Sequence, residues 1–256
     1  MILADAHVHL HAYPDPAGIV ARARARDVHL LVAVSIDLAS SRRSIDLAAQ
    51  FVGVVAAVGF HPSWLTAPLT PADLAALEQL ARHPSVGFIG EIGLDGVEAK
   101  LSVEDQRQAF RAQLDLADRL GLPVNLHIRD AFPAAIAELA ARGLPSAGAV
   151  VHYFVGDPAL AGRLLDLGLY LSVGKPVIRP ENAALRAAIR GAPLDRLLLE
   201  TDAYPLPGRT TEPADVGDVA REIARLRGCS PEEVARATTD NLRRLLGARD
   251  PLGAGE

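Results

Sequence analysis

The chain has 256 residues, half of them hydrophobic, with 26 basic against 31 acidic residues and a formal net charge of −5. That length and apolar content suit one α/β barrel with a large core, and the mild negative charge argues against a broad electrostatic footprint for duplex DNA while leaving room for a local basic groove. Cys229 is the only cysteine, which excludes an intrachain disulfide or thiolate cluster. No apolar run approaches the ~18 residues of a membrane span and the N-terminus has no basic signal-peptide region, so a reducing, cytoplasmic setting is expected, with no membrane contact and no obligate protein partner.

Short runs rich in Val, Ile and Leu recur along the chain. They cover 1–10, 28–36, 52–60, 86–93, 123–128, 148–154, 168–174 and 195–202. Helical patterns fall between them at 16–27, 38–50, 71–82, 103–120, 131–142, 158–167 and 180–190, and two more follow at 214–227 and 231–246. Several of these open on Asp or Pro and close near Gly, as helix caps do. Continuous apolar strands alternating with helices predict a parallel sheet covered by helices. Eight such units in this length predict a closed (β/α)8 TIM barrel as a single domain over 1–256. An open doubly wound sheet is the rival, weakened by the lack of a Gly-rich loop after the first strand. The Pro-rich loop 203–215 is long enough to suspect a role.

Barrel chemistry sits at the C-terminal ends of the strands. The first run ends with His7 and His9, the third leads into His61, and the fourth carries Glu91. The fifth carries His127, the sixth His152, and the eighth ends with Asp202. Ser35 and Ser172 end the second and seventh and say little. Strand period two sends His7 and His9 to the same side, with Val8 opposite. Asp5 shares that parity and reads as a hydrogen-bond partner for a ligand histidine. Four imidazoles and two carboxylates converging on one pocket make a metal site by ligand type, suited to Zn2+, Mn2+, Fe2+ or Ni2+ and less clearly to Mg2+. One histidine alone at a strand end is more often a core or loop residue. A buried carboxylate without a partner, however, costs several kcal/mol.

In order, the chain carries "DAHVHL" (5–10), "GFHP" (59–62), "IGEIGLD" (89–95), a spaced Gln106, Phe110, Gln113 and Ala117 pattern, "LHIRDA" (126–131), "HYFVG" (152–156), "LDRLLLETD" (194–202) and "TTDNLRRLLG" (238–247). This set resembles the TatD family of metal-dependent hydrolases over nearly the full length. The resemblance implies a deoxyribonuclease hydrolysing phosphodiester bonds at DNA ends with two divalent ions, Mg2+ or Mn2+ in use and Zn2+ as an alternative. It implies that His7 and His9 hold one metal with Asp202 near it, that Glu91 bridges two metals, and that His127 and His152 hold the second. On that assignment Glu91 and Asp202 are the catalytic pair, Asp202 being the candidate general base. His61 is a candidate substrate contact, with a plain loop histidine as the alternative. Arg129 and Arg209 are candidate phosphate forks, with solvated surface arginines as the alternative.

Four segments depart from the family pattern. An acid usually follows "HVHL", and here His11 stands there. The order of aromatic and proline is exchanged in "ETDAYPL", Thr211 replaces an Asn in "GRTTEP", and "GVEA" follows "GLD" in place of an aromatic pair. None touches a predicted metal ligand, and all fall where substrate identity is decided. His11 is expected at the rim, unliganded. Two other readings stay open at this point: hydrolysis of a small-molecule ester, lactone or amide by the same centre, and an idle metal-binding barrel used as an interaction module.

Overall fold

The structure, a computed structural model, describes residues 2–208 and 210–253. Its strands are β1 (Leu3–Val8), β2 (Val28–Val34), β3 (Val54–Val58), β4 (Val86–Asp95), β5 (Val124–Arg129), β6 (Ala149–Val151), β7 (Tyr170–Val173) and β8 (Leu197–Leu199). The helices are α1 (Pro16–Arg24), α2 (Leu38–Gln50), α3 (Pro71–Ala81), α4 (Val103–Leu120), α5 (Phe132–Arg142), α6 (Pro158–Asp166), α7 (Ala183–Gly191), α8 (Val216–Arg227) and α9 (Pro231–Leu246). The strands pair in chain order, each parallel to the next. The ring closes just past β8. There the Asp202 N–H donates to the His7 carbonyl at 3.0 Å and the His9 N–H to the Ala203 carbonyl at 2.9 Å, beside a parallel Val8–Ala203 bridge. The eight-fold βα barrel expected from the hydrophobic pattern is what forms.

The strands are buried on both faces, which is why they read as unbroken apolar runs. Ala4, Ala6, Leu30, Val32, Val34, Phe88, Val150 and Leu198 fill the interior together with Leu242, Leu245 and Leu246 of α9. The other strand face packs on the helices. Helix α9 lies across the N-terminal ends of the strands. Its Thr239 hydroxyl donates to the Ile2 carbonyl at 3.2 Å, and a Cβ at Gly87, second in β4, would fall 2.5 Å from Leu246 Cδ2. One end of the barrel is thereby plugged with leucine, and the opposite end is left for polar groups.

The late strands are shorter than their apolar runs. Residues 152–154 and 200–202 lie past the ends of β6 and β8 and form the rim while still bonding to neighbouring strands, and a 3-10 turn at Lys175–Ile178 precedes α7, which starts at Ala183 and not near 180. Among the described residues no helix is long and apolar enough to cross a membrane.

The fully buried Asn241 of α9 fastens β8 from below. Its amide donates to the Leu194 carbonyl at 3.0 Å and the Leu197 carbonyl at 2.8 Å. Asn241→Leu should therefore remove both bonds, leave the buried Leu197 carbonyl without this donor and cost about 2 kcal/mol, read as a lower midpoint in urea unfolding at unchanged slope.

Candidate metal centre

Two one-residue bulges decide what faces the barrel axis. Between Ile89 and Ile92, β4 advances three residues while β5 advances two, from Val124 to Leu126. Ile89 and Ile92 pack toward the helices, so Gly90 and Glu91 both turn inward. In β1 the same happens between Asp5 and Val8, which pair with Leu31 and Ala33 of β2. There Ala6 and His7 turn inward together. Bulges beside active sites commonly re-aim side chains in this way. The β1 bulge also corrects an expectation. Asp5 does not share the direction of His7. It accepts from the Thr201 N–H at 3.0 Å, from the Thr201 hydroxyl, and from the His7 backbone N–H at 3.1 Å, with no contact to the imidazole. Burial pushes its carboxyl up to about 8 against those donors.

Glu91 stands at the centre, 2% exposed. One carboxylate oxygen, Oε2, lies 3.4 Å from His7 Nε2 and 3.7 Å from His9 Nε2. The other, Oε1, lies 2.8 Å from His127 Nδ1, 2.8 Å from His152 Nε2 and 3.4 Å from His61 Nε2. Asp202 joins the first group, its Oδ1 at 3.5 Å from His9 Nε2 and 3.9 Å from His7 Nε2. The six residues named as ligands from the sequence thus meet in one cluster, and His61 enters it as well, buried and not at the mouth. Overlapping triplets drawn from these residues have ligand atoms within 4.8 Å of one another.

Partners behind the imidazoles fix their tautomers. Asn125 Nδ2 donates to the Ala6 carbonyl at 3.4 Å, which turns its Oδ1 to His7 Nδ1 at 3.2 Å. The His7 proton is therefore on Nδ1, and the lone pair of Nε2, buried and without a hydrogen-bond partner, faces the oxygens of Glu91 and Asp202. Three electron-pair donors turned toward one another repel unless a cation lies between them, so this donor set suits a metal ion. His127 Nε2 meets Asp95 Oδ2 at 2.8 Å, and Asp95 Oδ1 accepts from the Val97 and Glu98 N–H groups at 2.7 Å each. A carboxylate that orients a ligand histidine is a recurrent arrangement of metal sites. His152 Nδ1 lies 3.6 Å from the buried Glu200 Oε1, which accepts from the Tyr153 N–H at 2.5 Å. His61 differs: its Nδ1 accepts from the Ser63 N–H at 3.0 Å, so Nε2 carries the proton toward Glu91 and acts as a donor.

Asn125, Asp95 and Glu200 were not picked out from the sequence. The available signal was parity: each lies two or four residues from a candidate ligand on a strand or its extension. The glutamines of the spaced motif also acquire a role. Gln106 accepts from the Asp95 N–H at 2.9 Å, and Gln113 accepts from the Phe60 N–H at 2.7 Å. Two turns apart on one face of α4, they pin the ends of β4 and β3. Gly93 is needed where it stands, because a Cβ there would sit 1.9 Å from the His127 carbonyl oxygen and its φ is +149°.

Burial is the largest influence on each titrating member and opposes charge. On Glu91 it is outweighed by the facing imidazoles of His61, His152 and His7 and by the His127 hydrogen bond, which hold the carboxyl well below its usual range. His152 is raised well above the ordinary imidazole value by Glu91 and Glu200. His9 is raised by Asp202 and Glu91, and His127 by Asp95 and Glu91. Asp202 is lowered by the surrounding imidazoles. At His61 burial prevails and lowers the value. Protons and a metal ion compete for the same lone pairs, so a site that holds protons this firmly has the charge balance a divalent ion would use.

The cluster floors a cleft of about 450 Å3. Arg129 lines it, but its guanidinium is engaged by Glu98 at 2.7 Å. Arg209 lies outside the described residues. His11 turns away from the cluster, donating from Nδ1 to the Val34 carbonyl at 3.0 Å, and burial brings it down to about 4. Thr211 accepts from Lys175 Nζ at 3.2 Å and, through its carbonyl, from the Tyr13 hydroxyl at 3.2 Å. Tyr153 and Asp202 have φ of +47° and +49° just beyond their strands, a conformation uncommon outside glycine.

The chain matches the family of TatD-related DNases over residues 4–247. It is 34% identical over 253 residues to the Bacillus subtilis protein YabD, described as an uncharacterized metal-dependent hydrolase, covering 96% of this chain and 99% of that one. It is 36% identical over 243 residues to the Klebsiella pneumoniae 3'-5' ssDNA/RNA exonuclease TatD, covering 90% of each. The crystal structure of the TatD homologue YjjV from Escherichia coli K12 superposes with a TM-score of 0.88 at 31% identity, covering 95% of this chain and 97% of that one. With motif order, barrel and whole-chain similarity in agreement, the chain belongs to the TatD-related DNase family of metal-dependent hydrolases.

Proposed function

We propose that this protein hydrolyses phosphodiester bonds at the ends of single-stranded nucleic acid, using two divalent ions, Mg2+ or Mn2+ with Zn2+ as an alternative, held on either side of Glu91. The observation that carries this reading is the division of the imidazoles between the two oxygens of Glu91. His7, His9 and Asp202 with Oε2 would hold one ion, and His127 and His152 with Oε1 the other. Such ions, when bound, polarise a phosphoryl group and neutralise its charge.

The chain's own groups supply the rest. Asp202, at the edge of the cluster and lowered in pKa by the imidazoles, is ionised at neutral pH and can accept the proton of the attacking water at Oδ1. His61 offers its Nε2 proton to a substrate oxygen. Arg129 would exchange Glu98 for a phosphate, as a guanidinium fork can. Arg209 is proposed as a second phosphate contact on its loop position alone. The cleft is lined by Glu91, Asp95, Glu98 and Asp202 against the one guanidinium of Arg129 among the described residues. Where metal ions displace the protons held by the imidazoles, their charge would take over the balance against these carboxylates and draw in a phosphodiester.

The metal-loaded protein should release nucleotides from single-stranded DNA or RNA faster than it cleaves simple carboxylic esters, and EDTA should stop it. Glu91→Ala should lower the rate at least about 1000-fold, and robust cleavage by that variant would contradict the assignment. Asn125→Ala should free the His7 ring and weaken Mn2+ binding by about 10–100-fold in a calorimetric titration, with the fold kept. Unchanged affinity would remove Asn125 from the account.

A further inference from the structure

We propose that Trp64 is the platform on which a base of the substrate strand stacks, and that the enzyme grips single-stranded nucleic acid mainly by base faces. This rests on the nucleic-acid reading above. Trp64 is the only tryptophan of the chain, and it is 62% exposed. It lines the same cleft as Glu91 and His127. It closes the 3-10 turn Pro62–Trp64, and its N–H donates to the His61 carbonyl at 3.1 Å. The indole is therefore tethered one short turn, about 6 Å of rise, from the imidazole whose Nε2 is 3.4 Å from Glu91 Oε1. Among the described residues it stacks on no other ring.

A large apolar ring held in water by a fixed backbone is costly unless something covers it. A base is the occupant that the surrounding charges favour. The rim cations Arg129 and Lys175 are paired, with Glu98 at 2.7 Å and Asp215 at 2.8 Å, and the cleft walls are acidic. The cleft lining thus offers no free Lys or Arg track for a sugar–phosphate backbone, the exposed Lys100 and Arg179 standing outside it in the loops after β4 and β7. Apolar groups take its place: Val97, Val155, Ile178 and Leu206, all in loops after strands, are 55%, 54%, 37% and 49% exposed. Stacking on such a surface is sequence-tolerant, since every base has a π-face.

The test uses the Mn2+-loaded protein and two oligothymidylates that differ only in having abasic sugars at their terminal positions. Trp64→Ala should raise KM for the normal strand about 5- to 150-fold, the loss of one base–aromatic stack. It should leave kcat within about twofold and KM for the abasic strand unchanged. Trp64→Phe should restore most of the affinity. The fluorescence of the single indole should be quenched by a hydrolysis-resistant normal strand and not by its abasic counterpart. Equal KM for wild type and Trp64→Ala, or equal losses on both strands, overturns the stacking while leaving the nuclease reading intact. Failure of the wild-type holoenzyme to cleave either strand sinks both. Quenching by a protein partner with none by the normal strand assigns the indole to a protein contact and overturns the proposal.

Discussion

A carboxylate buried among five imidazoles is the constraint on which the rest of this barrel depends. Glu91 is withdrawn from water, and a lone anion there would cost several kcal/mol. Its imidazole neighbours relieve that cost only if they carry protons or share a cation with it. At His7 the proton lies on Nδ1, facing Asn125, so the nitrogen turned to Glu91 has only a lone pair to offer. A cation shared with Glu91, or a second proton on Nε2, resolves this conflict where a proton on Nδ1 alone does not. The fit of this cluster to a metal ion therefore rests on hydrogen-bond direction as well as on residue type.

Much of the barrel serves to hold that carboxylate and its neighbours in register. The bulges in β1 and β4 each turn an adjacent pair of residues inward, which brings His7 and Glu91 to the axis beside the small Ala6 and Gly90. Gln106 and Gln113 tie the ends of β4 and β3 to α4. Asp95, Asn125 and Glu200 sit behind His127, His7 and His152, and each is itself held by at least one bond to the backbone. At the other end, the leucines of α9 fill the space that polar side chains occupy at the top. A wet end and a dry end are thus divided along one axis, as expected for barrels with chemistry at the strand C-termini.

The fold was legible because buried parallel strands leave unbroken apolar runs and amphipathic helices leave a different period. The candidate ligands were legible because charge and imidazole are out of place in such runs. Strict alternation served for His7 and His9, which flank Val8 on the same side. It failed for Asp5, since the extra residue in β1 lies between Asp5 and Val8. Counted from the inward Phe88, alternation would also turn Glu91 toward the helices, and only the bulge turns it in. Bulges leave no pattern in a single sequence, because they depend on the pairing with the neighbouring strand. The supporting roles of Asn125 and Glu200 were hidden for a related reason. Their strands read as ordinary polar interruptions, and their meaning lies in which ring nitrogen they face.

The departures from the family pattern fall on the rim and not in the cluster. His11 bonds to the Val34 carbonyl, and Thr211 to Lys175, so these positions brace loops around the cleft. The centre and its surroundings are thus separable, one set by metal chemistry and the other by what enters. The most direct measurement is an anomalous difference map from crystals grown with Mn2+. The account predicts two peaks flanking the Glu91 carboxylate, one contacted by His7 and His9 and the other by His127 and His152. A map with no peak beside Glu91, or with a single ion held away from it, would contradict the account.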